Sequence, residues 1–218
     1  MKISKELIQK MNDLDTTCLS DALDRFGIKG GCQGILPIVP GTKAVGTAFT
    51  VSYRPVGTVK GTAGDFLDDV KPGQVVVIGN GGRLFATVWG DIMTTYAQMH
   101  GIAGTVIDGV CRDIPGIQTT RYPIFTRGRF MATGKDRMEL ESLNEPVSIS
   151  DVLVRPGDIV VCDDSGVIVV PSDKAEVVIK AAIEIDGAER RILDLINNGI
   201  SLKEARAKVG YFQLQSKR

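Results

Sequence analysis

WGDIMTTYAQMHGIAGTVIDGVCRDIPGI, residues 89–117, decides the fold. After Gly90, the segment from Asp91 to about His100 has the character of a helix, and Gly101 stops it. The apolar run over 103–108 predicts a strand, followed by Arg112 and Asp113 and a helical turn over 114–119 that contains Pro115. A helix and the strand after it run in opposite directions, so the start of the helix and the end of the strand share one edge of the sheet. Ten helical residues descend roughly 15 Å. Five or six extended residues climb back roughly 17 to 20 Å. Asp91 and the Arg112-Asp113 pair, with 20 residues between Asp91 and Arg112, are therefore predicted to meet at one rim. Open α/β folds place their ligands beyond the carboxyl ends of strands.

Working outward, apolar spacing predicts helices over 4–12 and 17–26, the second capped by Asp15 or Thr16 and stopped by Gly27. GIKGGCQGILPIVPG, residues 27–41, reads as loop, and KAVGTAFTVSYRP, residues 43–55, as a strand. GTAGDFLDDVKPGQ, residues 61–74, offers a short helix and a turn, and VVVIGNGG, residues 75–82, a buried strand ending in glycines. PIFTRG at 123–128 predicts a short strand, and residues 151–171 two or three strands divided by Pro-Gly and Asp-Asp-Ser-Gly turns. One long helix is expected over 172–197, with Gly199 as its stop, and another over 201–209. The sum is one α/β domain of mixed parallel and antiparallel strands, with a helical C-terminal arm at about 172–218 expected to pack on a neighbouring subunit.

Composition excludes several classes. The 26 basic and 26 acidic residues cancel, which offers no stripe for nucleic acid or for an acidic membrane surface. No apolar run approaches the roughly 18 residues of a membrane span. The N-terminal residues lack the apolar core of a secretory signal, so a cytoplasmic location is expected. Cys18, Cys32, Cys111 and Cys162 are scattered without a C-x-x-C, which predicts buried, reduced thiols rather than zinc or disulfides. His100 is the only histidine and sits at a predicted helix end, so histidine-cluster zinc chemistry is excluded. GNGGR at 79–83 misses the last glycine of G-x-G-x-x-G, where Leu84 stands, and has no P-loop lysine.

The residue types at the predicted rim are complementary. The GNGG stretch and the start of the helix supply free N–H groups that favour an anion. Arg112 can grip a carboxylate through two parallel hydrogen bonds. Asp113 is a hard oxygen ligand suited to Mg²⁺ or Mn²⁺, a cation commonly held by one or two carboxylates and water. Structural readings compete with these: Asp91 can cap its helix, Asp113 can cap the turn containing Pro115, and Arg112 can pair with any nearby acid. Geometry alone leads to an anion and metal site, suited to a small chelating acid such as a 2-oxo acid.

GNGGRLFATVWGDIM followed by GIAGTVIDGVCRD resembles the family of class II 4-hydroxy-4-methyl-2-oxoglutarate aldolases and RraA-like regulators of ribonuclease E activity. The likeness extends to TTCLSDAL and GDIVVCDDSGVIVVP, and its most specific part is D-x(20)-R-D, met by Asp91, Arg112 and Asp113. The resemblance implies a layered β/β/α swivelling-domain fold, phosphohistidine-domain-like, assembled as homotrimers or hexamers. It implies a divalent-metal pyruvate aldolase acting on a 4-hydroxy-2-oxo acid, with oxaloacetate decarboxylation as a side activity. Asp113 would bind the metal, Arg112 the pyruvyl group, and the backbone of Gly90, Asp91, Ile92 and Met93 would complete the pocket, with Asp91 positioning a water. Ile92 and Met93 stand where the family pattern has leucines. An outer-sphere glutamate from another subunit would be Glu189, or alternatively Glu184. The competing expectation is a regulator without turnover that binds a ribonuclease.

Overall fold

The computed structural model describes residues 4–58, 61–211 and 214. Two helices open it, α1 (Lys5–Asn12) and α2 (Thr16–Arg25), capped by the side chains of Ser4 and Asp15, each accepting a first-turn N–H. The central sheet comprises β1 (Leu36–Pro37), β2 (Ala44–Pro55), β3 (Gln74–Thr87), β4 (Gly104–Cys111), β5 (Ile124–Arg129), β6 (Met138–Leu143), β9 (Ile159–Asp163) and β10 (Gly166–Val170). Its order is β1-β5-β4-β3-β2-β9-β10. Strands β2, β3, β4 and β5 pair in parallel, and β9 and β6 share the far edge of β2 antiparallel, against its first and second halves. A separate hairpin, β7 (Val147–Ile149) with β8 (Val152–Val154), lies on one face.

Alternation along β2 shows how the layers divide. Phe49, Val51 and Tyr53 point into a cluster with Trp89, Ala97 and Ile117, beneath α3 (Asp91–Met99) and α4 (Ile114–Thr120). Val45, of the same parity, packs on the cluster of α2 and α5 (Ala175–Asn197), so the helices cover one face. Ala44 and Ala48 face the other way, toward Val147, Ile149, Val152 and Val154 of the hairpin. Strand β4 is central and buried at every position, which explains why its apolar residues do not alternate with exposed polar ones. All four cysteines are free and buried. No helix of the described residues is long and apolar enough to cross a membrane.

Three expectations change. Strand β3 does not stop at its glycines but continues to Thr87, through two irregularities in its pairing with β4. The loop at 27–41 contains the two-residue strand β1, paired with β5. The C-terminal arm is no free appendage over its first half: Val178, Ile179, Ala182 and Ile185 of α5 are buried against Leu19, Ala22 and Leu23 of α2. The last helix, α6 (Leu202–Val209), follows it. The apolar face of the first half of α5 is thus part of the domain's own core, because α2 covers it.

Candidate active site

The helix-then-strand geometry places its acids and arginine as the spacing requires. Trp89, just before α3, is buried, stacks on Tyr122 and donates its indole N–H to Thr94 Oγ at 2.9 Å. Its carbonyl accepts the Arg112 N–H at 3.1 Å, which ties the end of β4 to the start of α3. Arg112 Nε lies 3.2 Å from Asp113 Oδ2, and the same oxygen accepts the Asp91 N–H at 3.3 Å.

Asp113 has φ 60° and ψ 40°, the left-handed conformation. Aspartate and asparagine tolerate this region better than other non-glycine residues. Its side chain makes no capping hydrogen bond to α4, the helix it precedes, and turns to the first amide of α3 instead. Gly90 makes room for it, since a β-carbon there would stand 2.5 Å from Asp113 Oδ2. Asp91 is the first residue of α3, not its cap, and among the described residues its carboxylate has no hydrogen-bond or ion-pair partner. Asp91 therefore does not cap α3, and Asp113 stands at the N-cap position of α4 without capping it through its side chain.

Arg112, Asp113, Gly90, Asp91, Ile92 and Met93 all line one cavity of about 270 Å³. The side chains of Arg112 and Asp113 are 39% and 36% exposed, so solutes can reach them. The amides of Ile92 and Met93 lie in the first turn of α3, where an α-helix offers no internal acceptor. The lining also includes Thr87 of β3 and segments that no motif signalled, Tyr53 of β2 and Thr133, Gly134 and Lys135 before β6. Strand pairing brings these distant segments here.

Other predicted contributors lie elsewhere. Gly81 and Gly82 line a separate opening with Asp108 and Arg127, so the GNGG stretch is not part of this cavity. Glu189 accepts a hydrogen bond from the Cys18 thiol at 3.5 Å, and Glu184 pairs with Arg25 at 3.2 Å, both turned to α2 of their own chain. His100 ends α3, stacked on Tyr96.

The donor set fits a hard divalent cation. One oxygen of Asp113 carries the two contacts above and the other accepts no hydrogen bond among the described residues, while the unpartnered Asp91 carboxylate lines the same cavity. Among the described residues no three His, Cys, Asp or Glu side chains converge to cage a metal.

The profile of a family described as RraA-like, Aldolase/RraA, matches residues 16–169, which include the whole site. The chain belongs to the RraA-like family. A Legionella pneumophila protein, DlpA, is 39% identical over 210 residues, 95% of this chain, which spans about a third (34%) of that longer protein. A Halalkalibacterium halodurans protein provisionally named a 4-hydroxy-4-methyl-2-oxoglutarate aldolase is 34% identical over 199 residues, 87% of this chain and 90% of its own length. Among solved structures, an uncharacterized protein from Pseudomonas syringae pv. tomato superposes with a TM-score of 0.88 at 46% identity, covering 94% of this RraA-like chain and 99% of the other. Streptomyces coelicolor RraAS2, described as an unusual member of the RNase ES inhibitor RraA protein family, gives 0.81 at 28% identity, with 87% and 97% coverage.

Proposed function

We propose that this chain is a divalent-metal-dependent class II pyruvate aldolase. It would cleave 4-hydroxy-4-methyl-2-oxoglutarate or a related 4-hydroxy-2-oxo acid, and decarboxylate oxaloacetate as a side reaction. The observation that carries this reading is the left-handed Asp113, whose carboxylate leaves its own helix uncapped and is presented beside Arg112 in a cavity shared with Asp91. The provisional aldolase name of the Halalkalibacterium relative supports it.

Asp113 would hold the cation, and Asp91 lines the same cavity. When bound, Mg²⁺ or Mn²⁺ supplies Lewis acidity that draws electron density from a chelated 2-oxo acid. The chain's own groups do the rest. The amides of Ile92 and Met93 receive the C1 carboxylate at the positive end of α3. Arg112 donates to the 2-oxo oxygen, its guanidinium oriented by contact with Asp113. Asp91 positions a water that takes the proton from the C4 hydroxyl. The C3–C4 electron pair then passes into the enolate of pyruvate while C4 becomes a carbonyl, and Arg112 offsets the charge gathering on the enolate oxygen. Protonation at C3 releases pyruvate. Oxaloacetate loses CO₂ from the same bond and gives the same enolate. A Schiff-base route needs a lysine with its charge suppressed by burial, and the lysine lining this cavity, Lys135, is exposed.

The test is pyruvate release from a panel of 4-hydroxy-2-oxo acids and oxaloacetate, coupled to lactate dehydrogenase. Turnover is expected with Mg²⁺, is lost to a chelator and returns on adding Mg²⁺ back. Turnover indifferent to the chelator overturns the metal requirement. No turnover on any panel member overturns the aldolase and leaves an interaction protein, the role that the description of RraAS2 suggests for its own family.

A further inference from the structure

We infer that Lys135 is the specificity residue of this cavity, binding a second carboxylate and so selecting 2-oxo diacids over 2-oxo monoacids. The inference rests on the reading of the cavity as a 2-oxo acid site and adds to it the residue that chooses the substrate.

The argument begins with strand register. Thr87, at the end of β3, pairs with Val110 of β4 on one side and forms a parallel bridge with Thr133 on the other. Arg112 lies two residues beyond Val110, and Lys135 two residues beyond Thr133. Thr87 thus stands between the two segments, with Arg112 emerging past the end of β4 on one side and Lys135 on the other, in the turn that Gly134 O closes with the Arg137 and Met138 N–H groups. Two strand spacings, about 9 to 10 Å, separate the backbones of Val110 and Thr133. Arg112 and Lys135 both line the cavity of about 270 Å³ between them, which has room for a short diacid.

The Lys135 flank is built, not loose. The Thr87 N–H donates to Ala132 O at 3.1 Å and the Thr87 hydroxyl to the same oxygen at 3.0 Å. Gly134 sits so close to Thr87 O that any β-carbon would collide with it, which fixes glycine there and seats the segment on β3. Met138 N–H returns to Gly134 O at 2.7 Å, and the Lys135 N–H donates to Thr133 Oγ at 3.2 Å. These contacts fix the backbone from which the Lys135 side chain lines the cavity.

Charge accounting completes the case. The cavity is lined by two cations, Arg112 and Lys135, and two acids, Asp91 and Asp113. Arg112 already has Asp113 as a partner. Among the described residues Lys135 has no ion-pair partner, although it lines a cavity with Trp89, Tyr53 and Met138 as apolar wall. With the 2-oxo acid head at Arg112 and the α3 amides, the distal end of the molecule falls toward Lys135. A methyl there gains little from an ammonium, whereas a carboxylate gains a charge-assisted hydrogen bond.

Calorimetric binding of 2-oxoglutarate and of 2-oxopentanoate tests this, because the two differ only in a terminal carboxylate against a methyl. Titrations in Mg²⁺ need no turnover, so failure of the aldolase reading shows separately in the pyruvate assay. The wild type is expected to prefer the diacid by about tenfold or more. Lys135→Gln should bring the two affinities within about twofold of each other, and Lys135→Arg should keep most of the preference. Equal affinity of the wild type for both acids, binding of neither, or a preference that survives in Lys135→Gln would each overturn the assignment.

Discussion

Two acid–guanidinium pairs stand within a few residues of each other along the chain, and they differ in how completely their polar atoms are satisfied. Asp108, in the middle of β4, is paired with Arg127 of β5, and its other oxygen accepts the Ser150 N–H at 3.2 Å. Arg127 also donates to Ser150 Oγ at 2.9 Å, and that hydroxyl donates to Gln33 O at 2.7 Å. The Asp108 side chain is 5% exposed, and the network closes on itself. Asp113, just past the end of the same strand, meets Arg112, but among the described residues its other oxygen accepts no hydrogen bond and the Asp91 carboxylate beside it has no partner. The first arrangement spends its charges on holding the hairpin β7–β8 against the sheet. The second is the pair on which the proposed function rests. An Asp–Arg contact is thus uninformative by itself, and what separates the two pairs is whether carboxylate oxygens lack a partner among the described residues.

Exchanging the acids one at a time tests this contrast. Asp113→Asn keeps the left-handed backbone, which asparagine tolerates, and removes the charge. Pyruvate release should fall by roughly 10³-fold. The urea unfolding free energy should move by less than about 1 kcal/mol, as expected for a partly exposed ion pair. A large loss of stability with activity retained would make Asp113 structural. Asp108→Asn should do the reverse. Leaving Arg127 facing an uncharged partner in a mostly buried network costs about 3 kcal/mol, read from urea unfolding, while the folded fraction continues to turn over. If Asp108→Asn unfolds no more readily than the wild type, the network is not the clamp described here.

The smallest effect concerns the thiols near each pair. Burial pushes the Cys32 and Cys111 thiols up from an ordinary 9.0 to about 12, with Asp108 adding to the shift at Cys32. Between pH 9 and 12 the unfolded chain has lost these protons and the folded chain retains them, so stability falls as pH rises through that window and is intact below it. Both thiols should resist alkylation at pH 8 until denaturant is added. Rapid labelling of native protein at pH 8 would contradict their burial.

The helix and strand between Asp91 and Arg112 were legible because matched lengths of helix and strand return the chain to the same rim, a local consequence of rise per residue. The helices over residues 4–12, 17–26 and 172–197 were legible for the same reason, through apolar periodicity and caps. Less was readable where several segments compete for one feature. Glycines at 81 and 82 resemble a strand end and an anion loop, and they do take left-handed φ values of 58° and 69° where pairing with β4 is interrupted between Ile78 and Arg83, yet the strand resumes beyond them because Arg83 and Thr87 pair with β4 again. No element is predicted between Gly128 and Asp151, yet β6 and β7 lie there.

What the sequence determined alone was therefore the meeting of Asp91, Arg112 and Asp113, since all three sit on consecutive elements whose geometry is set by backbone hydrogen bonding. What tertiary structure decided was everything that reaches them from a distance. The turn of Asp113 away from its own helix depends on the space left at Gly90, and the approach of Lys135 depends on a bridge between Thr87 and Thr133, 46 positions later. Contacts of that separation are fixed by the register of a whole sheet, which follows from the burial of many side chains at once and leaves no local mark in the chain.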